Sequence, residues 1–196
     1  MFQRRHGILL PDDYREFITE IGDGGAGPYY GVKPLANAAK YTDLSTPFPW
    51  GSEMSPRSHS DRKLWEILPG VLVVAELGCG GTNVLVVNGC EEGWVWEDLT
   101  IEDLPLSPLH QSFSEWYIGW AERCIATIKR EPLIDQVRIG MTVDEVRGIL
   151  GDDIQQWGGF QSPDLPAYYI SFTTTNASFS IDWDGRVMKI NKWDFI

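Results

Sequence analysis

The chain has 196 residues, of which 43% are hydrophobic and 22% are charged, and its formal net charge is −12. This composition is ordinary for a globular protein and allows one large or two small domains. An excess of carboxylates repels nucleic acid, and no apolar run approaches the roughly 20 residues that a membrane span needs. Cys79, Cys90 and Cys124 form no CxxC pair, which excludes a disulfide framework and a zinc knuckle and predicts buried free thiols. Because residues 8–10 are too short an apolar run for a signal peptide, we predict a soluble, cytoplasmic protein.

The amino-terminal third predicts one helix followed by mostly irregular chain. Pro11 and two aspartates suit the start of a helix, apolar residues recur after them at helical spacing, and Gly22 ends the pattern. A loop at 22–27 and a short strand at 29–35 are expected next. Residues 36–62 are rich in Ser, Pro and Asn and predict a long irregular connection.

The middle of the chain predicts a sheet and then a helix. Residues 71–75, 84–87 and 94–96 are short runs of strand-favouring residues bounded by glycines. We therefore predict three strands, of which the last two form a hairpin. From Phe113 the apolar residues change to helical spacing, which predicts an amphipathic helix that ends at Pro132.

The last third predicts a smaller unit. Thr142 and Glu145 form a capping box ahead of an apolar stripe, and Gly151 is placed to stop this helix. Three alternating segments then predict strands, at residues 168–174, 178–183 and 186–192. The predicted fold class is α+β, with a central, mostly antiparallel sheet flanked by helices, followed by a small helix plus a three-stranded antiparallel meander. We place the boundary between a domain of residues 1–131 and a module of residues 132–196.

Short motifs predict no catalytic, metal or cofactor site. Residues 22–27 match GxGxxG, but they follow a helix and no helix is expected behind them, so the geometry that cradles a phosphate is missing. Residues 182–185 resemble the start of a calcium loop without its later ligands, and a hairpin turn explains them. The three histidines are scattered. We therefore predict a protein without a cofactor or a metal.

The most unusual feature is a run of charge of one sign. Residues 64–122 hold ten carboxylates and no Lys or Arg over 59 residues. A short acidic run serves only solubility, but a field of one sign across several elements steers basic partners inward. Carboxylate pairs such as Glu91–Glu92 also leave general acid and base chemistry open, although acidic pairs in turns are usually solvated surface.

We predict a surface that binds a basic protein through acidic residues and aromatic anchors. A strand places Trp94 and Trp96 on one face, and the sequence leaves open whether that face is core or interface. The candidate partner-binding residues are Glu76, Glu91, Glu92, Trp94, Trp96, Glu97, Asp98, Glu102 and Asp103.

Two blocks of residues resemble the SUKH superfamily. The first block runs from Leu10-Pro11 to Gly24-Gly25, and the second runs from Gly78 through Trp96 to Trp120. Their order and spacing are similar to the pattern of that family. The resemblance implies an α+β binding module, and many members are immunity proteins that neutralise a cognate toxin, often a nuclease or deaminase, by binding it directly.

The tail resembles another kind of module. Gly140-Met-Thr142 with Val146, Leu150 and Gly151 is similar to the small α+β units of outer-membrane lipoproteins and β-lactamase inhibitors, which implies a further binding surface. Our leading hypothesis is a non-enzymatic immunity protein whose acidic surface blocks a basic toxin. The alternatives are a housekeeping interaction module without a toxin and a carboxylate-dependent hydrolase. The sequence leaves the oligomeric state open.

Overall fold

The computed structural model describes residues 1–51, 68–159, 164–172 and 175–192. By its internal contacts the chain divides into a first unit, Met1–Trp120, and a second unit, Ala121–Ile196. The predicted α+β class is confirmed, because the chain has a four-stranded antiparallel sheet with helices, and then a helix with a second four-stranded antiparallel sheet. The predicted domain boundary between residues 131 and 132 stays a prediction.

Three predictions fall partly on residues that the structure does not describe. They are the later part of the irregular connection, residues 52–62, the end of the strand predicted at 168–174, and Glu66 of the acidic run. Among the described helices, none is both long enough and apolar enough to cross a membrane.

Short helices come before the sheet of the first unit. They are α1 Phe2–His6, α2 Asp12–Glu16, a π-helical turn Phe17–Ile21 and α3 Leu35–Ala38. The helix predicted between Pro11 and Gly22 is confirmed, but its second half is wider than an α-helix. The backbone N–H of Gly22 donates to the carbonyl of Phe17, five residues earlier, over 3.0 Å, which is the π-helical pattern.

The short strand predicted at 29–35 is wrong. Tyr29 and Gly31 both have positive φ, at 54° and 92°, so the chain turns where the alternation of apolar residues suggests a strand. Only an isolated bridge between Gly25 and Val32 forms there. The backbone N–H of Lys33 nevertheless donates to the carbonyl of Val74 over 2.8 Å, which attaches this turn to the sheet.

The first sheet contains the three predicted strands and one more. It is formed by β1 Val71–Gly78, β2 Gly81–Val86, β3 Trp94–Asp98 and β4 Ser107–Ser112, which pair antiparallel in chain order. The predicted hairpin of β2 and β3 is confirmed. Strand β4 was not predicted, because its sequence Ser-Pro-Leu-His-Gln-Ser contains a proline and a single large apolar residue.

Both faces of this sheet are buried. One face packs its apolar residues against the helices, in a core that includes Tyr14, Phe17, Leu72, Leu85, Val95, Phe113 and Trp116. The other face packs against loop residues, in a core of Phe48, Leu68, Val71, Val84, Val86, Trp96 and Leu106. Because both faces are covered, a partner can contact this sheet at its ends, its turns and its edge strands.

Helix α4, Phe113–Ile134, begins in the first unit and ends in the second. The prediction that Pro132 ends this helix is wrong, since Pro132 lies inside it. A proline so close to the end removes a single backbone hydrogen bond. Ile134, which is only 2% exposed, is buried in the core of the second unit, and this burial stabilises the last turn.

The second unit has one helix and four strands. They are α5 Val143–Leu150, β5 Ile154–Trp157, β6 Tyr168–Phe172, β7 Ala177–Ile181 and β8 Val187–Lys192. The last three strands are those predicted, and β5 is additional. The sequence of β5, Ile-Gln-Gln-Trp, is too short and polar to show strand alternation. This segment becomes a strand because it pairs with β6.

The predicted capping box at the start of α5 is confirmed. The hydroxyl of Thr142 accepts from the backbone N–H of Glu145 over 3.3 Å, and the Glu145 carboxylate accepts from the backbone N–H of Thr142 over 2.7 Å. The Thr142 hydroxyl also donates to this carboxylate over 3.0 Å. The backbone N–H and then the hydroxyl of Thr142 hold the pKa of the Glu145 carboxyl below its usual range. Gly151 has a φ of 100° and ends the helix, as predicted.

Replacing Thr142 with alanine is expected to lower the free energy of unfolding of the second unit by about 1 kcal/mol, because it removes the cap. Urea unfolding followed by circular dichroism measures this loss. Thr127→Ala is the control, since Thr127 bonds only to a carbonyl of its own helix and should change stability little. Equal losses in the two variants would contradict the prediction.

Candidate functional site

The nine candidate residues do not form one patch. Glu91 and Glu92 lie in the turn before β3 and Trp94 is the first residue of this strand, whereas Glu102 and Asp103 follow its other end. A strand of five residues separates its ends by about 13 Å. The acidic run therefore supplies two separate acidic regions, one at each end of the sheet.

Trp96 is excluded as an exposed anchor. Its side chain is completely buried, and its ring meets that of Phe48 at 5.1 Å between centroids and an interplanar angle of 69°. Because the second face of the sheet is covered by loop residues, a tryptophan in the centre of β3 becomes core. Trp94, at the start of the strand, is 41% exposed and is the only one of the two that a partner can reach.

Asp98 is also corrected, from a partner-binding residue to a structural one. It is 7% exposed, and its carboxylate accepts from the backbone N–H of Thr100 over 3.2 Å and from the Thr100 hydroxyl over 2.6 Å. Aspartates commonly bond the backbone two residues ahead in this way, and here the bond lies at the start of the 3₁₀ turn Thr100–Glu102. Asp98 thus positions the acidic residues that follow it.

The end of the sheet beyond β3 combines acidic and apolar side chains in one place. We call it the sheet-end surface and define it by Tyr30, Glu76, Cys79, Ile101, Glu102 and Asp103. Tyr30 and Ile101 are 79% and 49% exposed, and the three carboxylates are exposed as well. An open cavity of ≈ 530 Å³ lies here, lined by Tyr30, Glu76 and residues 78–82.

Two glycines shape this surface. Gly78 and Gly80 have φ of 92° and 89° in the hairpin between β1 and β2. A Cβ on Gly80 would lie 2.6 Å from the Cδ1 atom of Ile101, and one on Gly78 would lie 3.4 Å from the Tyr30 ring. Because these positions lack a side chain, Tyr30 and Ile101 lie directly on the backbone of the hairpin.

The charge of the sheet-end surface is negative. Lys33 forms an ion pair with Glu76, so this carboxylate is partly neutralised. Among the described residues, no Lys or Arg forms an ion pair with Glu102 or Asp103. Two adjacent free carboxylates beside exposed apolar side chains can accept hydrogen bonds from Lys or Arg of another molecule.

The turn before β3 and the first residue of that strand form the second acidic region. We call it the acidic turn and define it by Glu91, Glu92 and Trp94. Glu92 and Trp94 are exposed, and Glu91 is half-buried. Glu97, in the strand between the two regions, is half-buried too. Trp50 packs against Phe48 at 5.3 Å and belongs to the edge of the second core.

The prediction of buried thiols is wrong for two of the three cysteines. All three are free, but Cys79 and Cys90 are exposed and Cys124 is half-buried. Cys79 and Cys90 lie in the turns at the ends of the sheet, where their side chains are exposed. A thiol is apolar enough to be buried, but the position of these two cysteines in turns leaves them exposed.

The described residues offer little for catalysis or metal binding. No group of three or more His, Cys, Asp or Glu in this part of the chain is arranged to hold a metal ion. The pKa of the Glu115 carboxyl is lowered, first by the backbone N–H of Ser112 and then by its hydroxyl. That pair is a helix cap at the start of α4, like the one at Thr142, and serves structure.

Comparison with known proteins gives a family for the larger part of the chain. Neither the curated proteins nor the solved structures compared with the chain include a match. A family model does match, over residues 1–119, and these residues contain the first sheet and all nine candidate residues. The chain belongs to the SMI1 / KNR4 family (SUKH-1).

Proposed function

We propose that this protein is a non-enzymatic immunity protein of the cytoplasm, which neutralises a basic toxin by binding it through the sheet-end surface. The observation that carries the proposal is the pair of free carboxylates, Glu102 and Asp103, which follow exposed Ile101 at the 3₁₀ turn Thr100–Glu102. Membership of the SUKH-1 family supports a binding role of this kind.

The distribution of charge supports a basic partner. Residues 1–120 hold 17 carboxylates against eight Lys and Arg, whereas residues 121–196 hold 11 against eight. The first unit therefore carries nine of the twelve units of net negative charge. Such a field accelerates association with a cationic protein surface and disfavours nucleic acid.

The apolar side chains support a protein partner over a small cation. Protein interfaces combine aromatic and apolar anchors at the centre with a polar rim. Tyr30 and Ile101 supply exposed apolar area, Tyr30 and Glu76 line the cavity, and Glu102 and Asp103 follow Ile101 directly in the chain. The toxin that we propose therefore has an apolar contact surrounded by Lys or Arg, as a nuclease has near its basic substrate groove.

The free cysteines support a reducing compartment. Cys79 and Cys90 are exposed and unpaired, and in oxidising compartments exposed thiols are usually paired. This is why we place the protein in the cytoplasm, where a toxin would be neutralised before it reaches its target.

The test uses the product of a gene beside the gene of this protein, which the proposal expects to be a toxin. Glu102→Lys with Asp103→Lys should lower the association rate constant at low salt by about tenfold or more and abolish protection of growing cells, because the field at the surface is reversed. Surface plasmon resonance across a salt series measures the rate, and growth after toxin induction measures protection.

The matched control changes the same amount of charge elsewhere. Glu122→Lys with Glu131→Lys reverses two exposed carboxylates of α4, and Glu91→Lys with Glu92→Lys reverses those of the acidic turn. If either pair slows association as much as the first, the sheet-end surface is not the site. If no neighbouring toxin is bound by the unchanged protein, the immunity function itself is contradicted.

A further inference from the structure

A groove in the helical layer of the first unit is separate from the sheet-end surface. It has a volume of ≈ 260 Å³ and lies between α2, the π-helical turn and the start of α4. Its lining includes Asp13, Glu16, Glu20, Ile21, Tyr117 and Ile118. No residue of this groove belongs to either acidic region of the sheet.

The floor and one wall of the groove are apolar. Phe17 and Phe113 are buried beneath it, and their rings meet at 5.1 Å. Ile21 and Ile118 line it and are 70% and 53% exposed. The volume is below the roughly 300–1,000 Å³ of a small-molecule site, and it suits a bulky apolar side chain of another protein.

The rim of the groove carries charge of one sign. Glu16 and Glu20 are exposed and four residues apart, a spacing at which like charges repel on a helix. Among the described residues neither has a cationic partner, since the nearby Arg15 pairs with Asp12. A third carboxylate, Asp13, accepts from the backbone N–H of Ser114 over 2.9 Å and fixes α4 against α2.

The π-helical turn forms the wall that bears Ile21. Segments of π-helix are uncommon, and they are frequently found at functional sites. Here the wider turn ends with Ile21, a large aliphatic residue, projecting into solvent at the groove. Repulsion between the glutamates and exposure of two isoleucines are both unfavourable in the free protein, and both are relieved by the same kind of partner.

We propose that this groove binds an amphipathic segment of another protein, in which a bulky apolar side chain is flanked by Lys or Arg. The apolar side chain contacts Ile21, Tyr117 and Ile118, and the cations pair with Glu16 and Glu20. The surface is additional to the toxin-binding surface and does not depend on it. It gives the protein a second contact, on its helical layer.

The probe is a fluorescein-labelled synthetic peptide of Lys, Leu and Ala with its leucines on one helical face. Its binding to the full-length protein is measured by fluorescence polarisation at low and high salt. Ile118→Ser should weaken binding by at least about tenfold, because it removes apolar contact area. Glu16→Gln with Glu20→Gln should weaken it about three- to tenfold at low salt and less at high salt.

Matched variants separate the groove from general charge attraction. Ile125, which is 51% exposed on the same helix, gives the control Ile125→Ser, and Glu122→Gln with Glu131→Gln is the control for charge. Both should bind the peptide like the unchanged protein, as should Glu102→Lys with Asp103→Lys. Absence of saturable binding, or equal effects of Ile118→Ser and Ile125→Ser, would overturn the proposal, and neither result bears on toxin neutralisation.

Discussion

Replacement of Trp96 by alanine is expected to destabilise the first unit by about 3–5 kcal/mol. The side chain is completely buried in the centre of β3, where it contacts Phe48 and shares a core with Leu106 and Val84. Truncation removes the largest side chain of that core and leaves a cavity beneath the loop residues. Since whole domains are stable by only about 5–15 kcal/mol, the variant loses a large part of its stability.

Native-state hydrogen exchange of the β2 backbone amides measures this loss for the first unit alone, which matters because two units need not unfold together. Trp96→Phe is the first control. Among the described residues, the indole N–H of Trp96 has no hydrogen-bond partner, so phenylalanine loses no bond there, and because it leaves a smaller cavity than alanine it should cost clearly less than Trp96→Ala. Trp94→Ala is the second, because Trp94 is 41% exposed and should change stability little. Equal effects of Trp96→Ala and Trp94→Ala would show that the core is misassigned.

The parts of the fold that sequence predicts are those with local signals. The runs of strand-favouring residues predicted β1, β2 and β3, and the capping box predicted α5. Each of these signals is contained in the element that it predicts. Strands β4 and β5 are polar and short, and they exist because a neighbouring strand offers a ladder. Nothing within those segments distinguishes them from loops, so they appear only once the sheet is formed.

The candidate site was predicted less well, for a related reason. Trp94 and Trp96 are equivalent in sequence, and their different exposure depends on residues near position 48 that cover the second face. Tyr30 and Ile101 were missed because they reach the sheet-end surface from distant parts of the chain. The glycines at 78 and 80 were the available signal, since a glycine-rich hairpin permits side chains to lie on its backbone.

Among Gly→Ala substitutions at turns of the first unit, Gly70→Ala is expected to be the most destabilising. Gly70 has a φ of 69°, and a Cβ there would lie 2.4 Å from the backbone nitrogen of Phe48 and 2.5 Å from the carbonyl oxygen of Asn88. Those two atoms are hydrogen-bonded to each other over 2.8 Å. The added methyl group would therefore push the segment of Phe48, which covers Trp96, away from Asn88, which follows β2.

The expected loss in the free energy of unfolding is about 2–5 kcal/mol, from a left-handed alanine and from a broken bond that leaves buried polar groups unpaired. Gly93→Ala is the matched control, because Gly93 has a φ of 92° and no atom of the described residues lies within 4 Å of the position of a Cβ. It should lose only the backbone strain, about 1–2 kcal/mol. Hydrogen exchange of the β2 amides in both variants separates the two contributions. If Gly70→Ala lowers the free energy of unfolding no more than Gly93→Ala does, the fold does not require the close approach of the backbone segments at Gly70, Phe48 and Asn88.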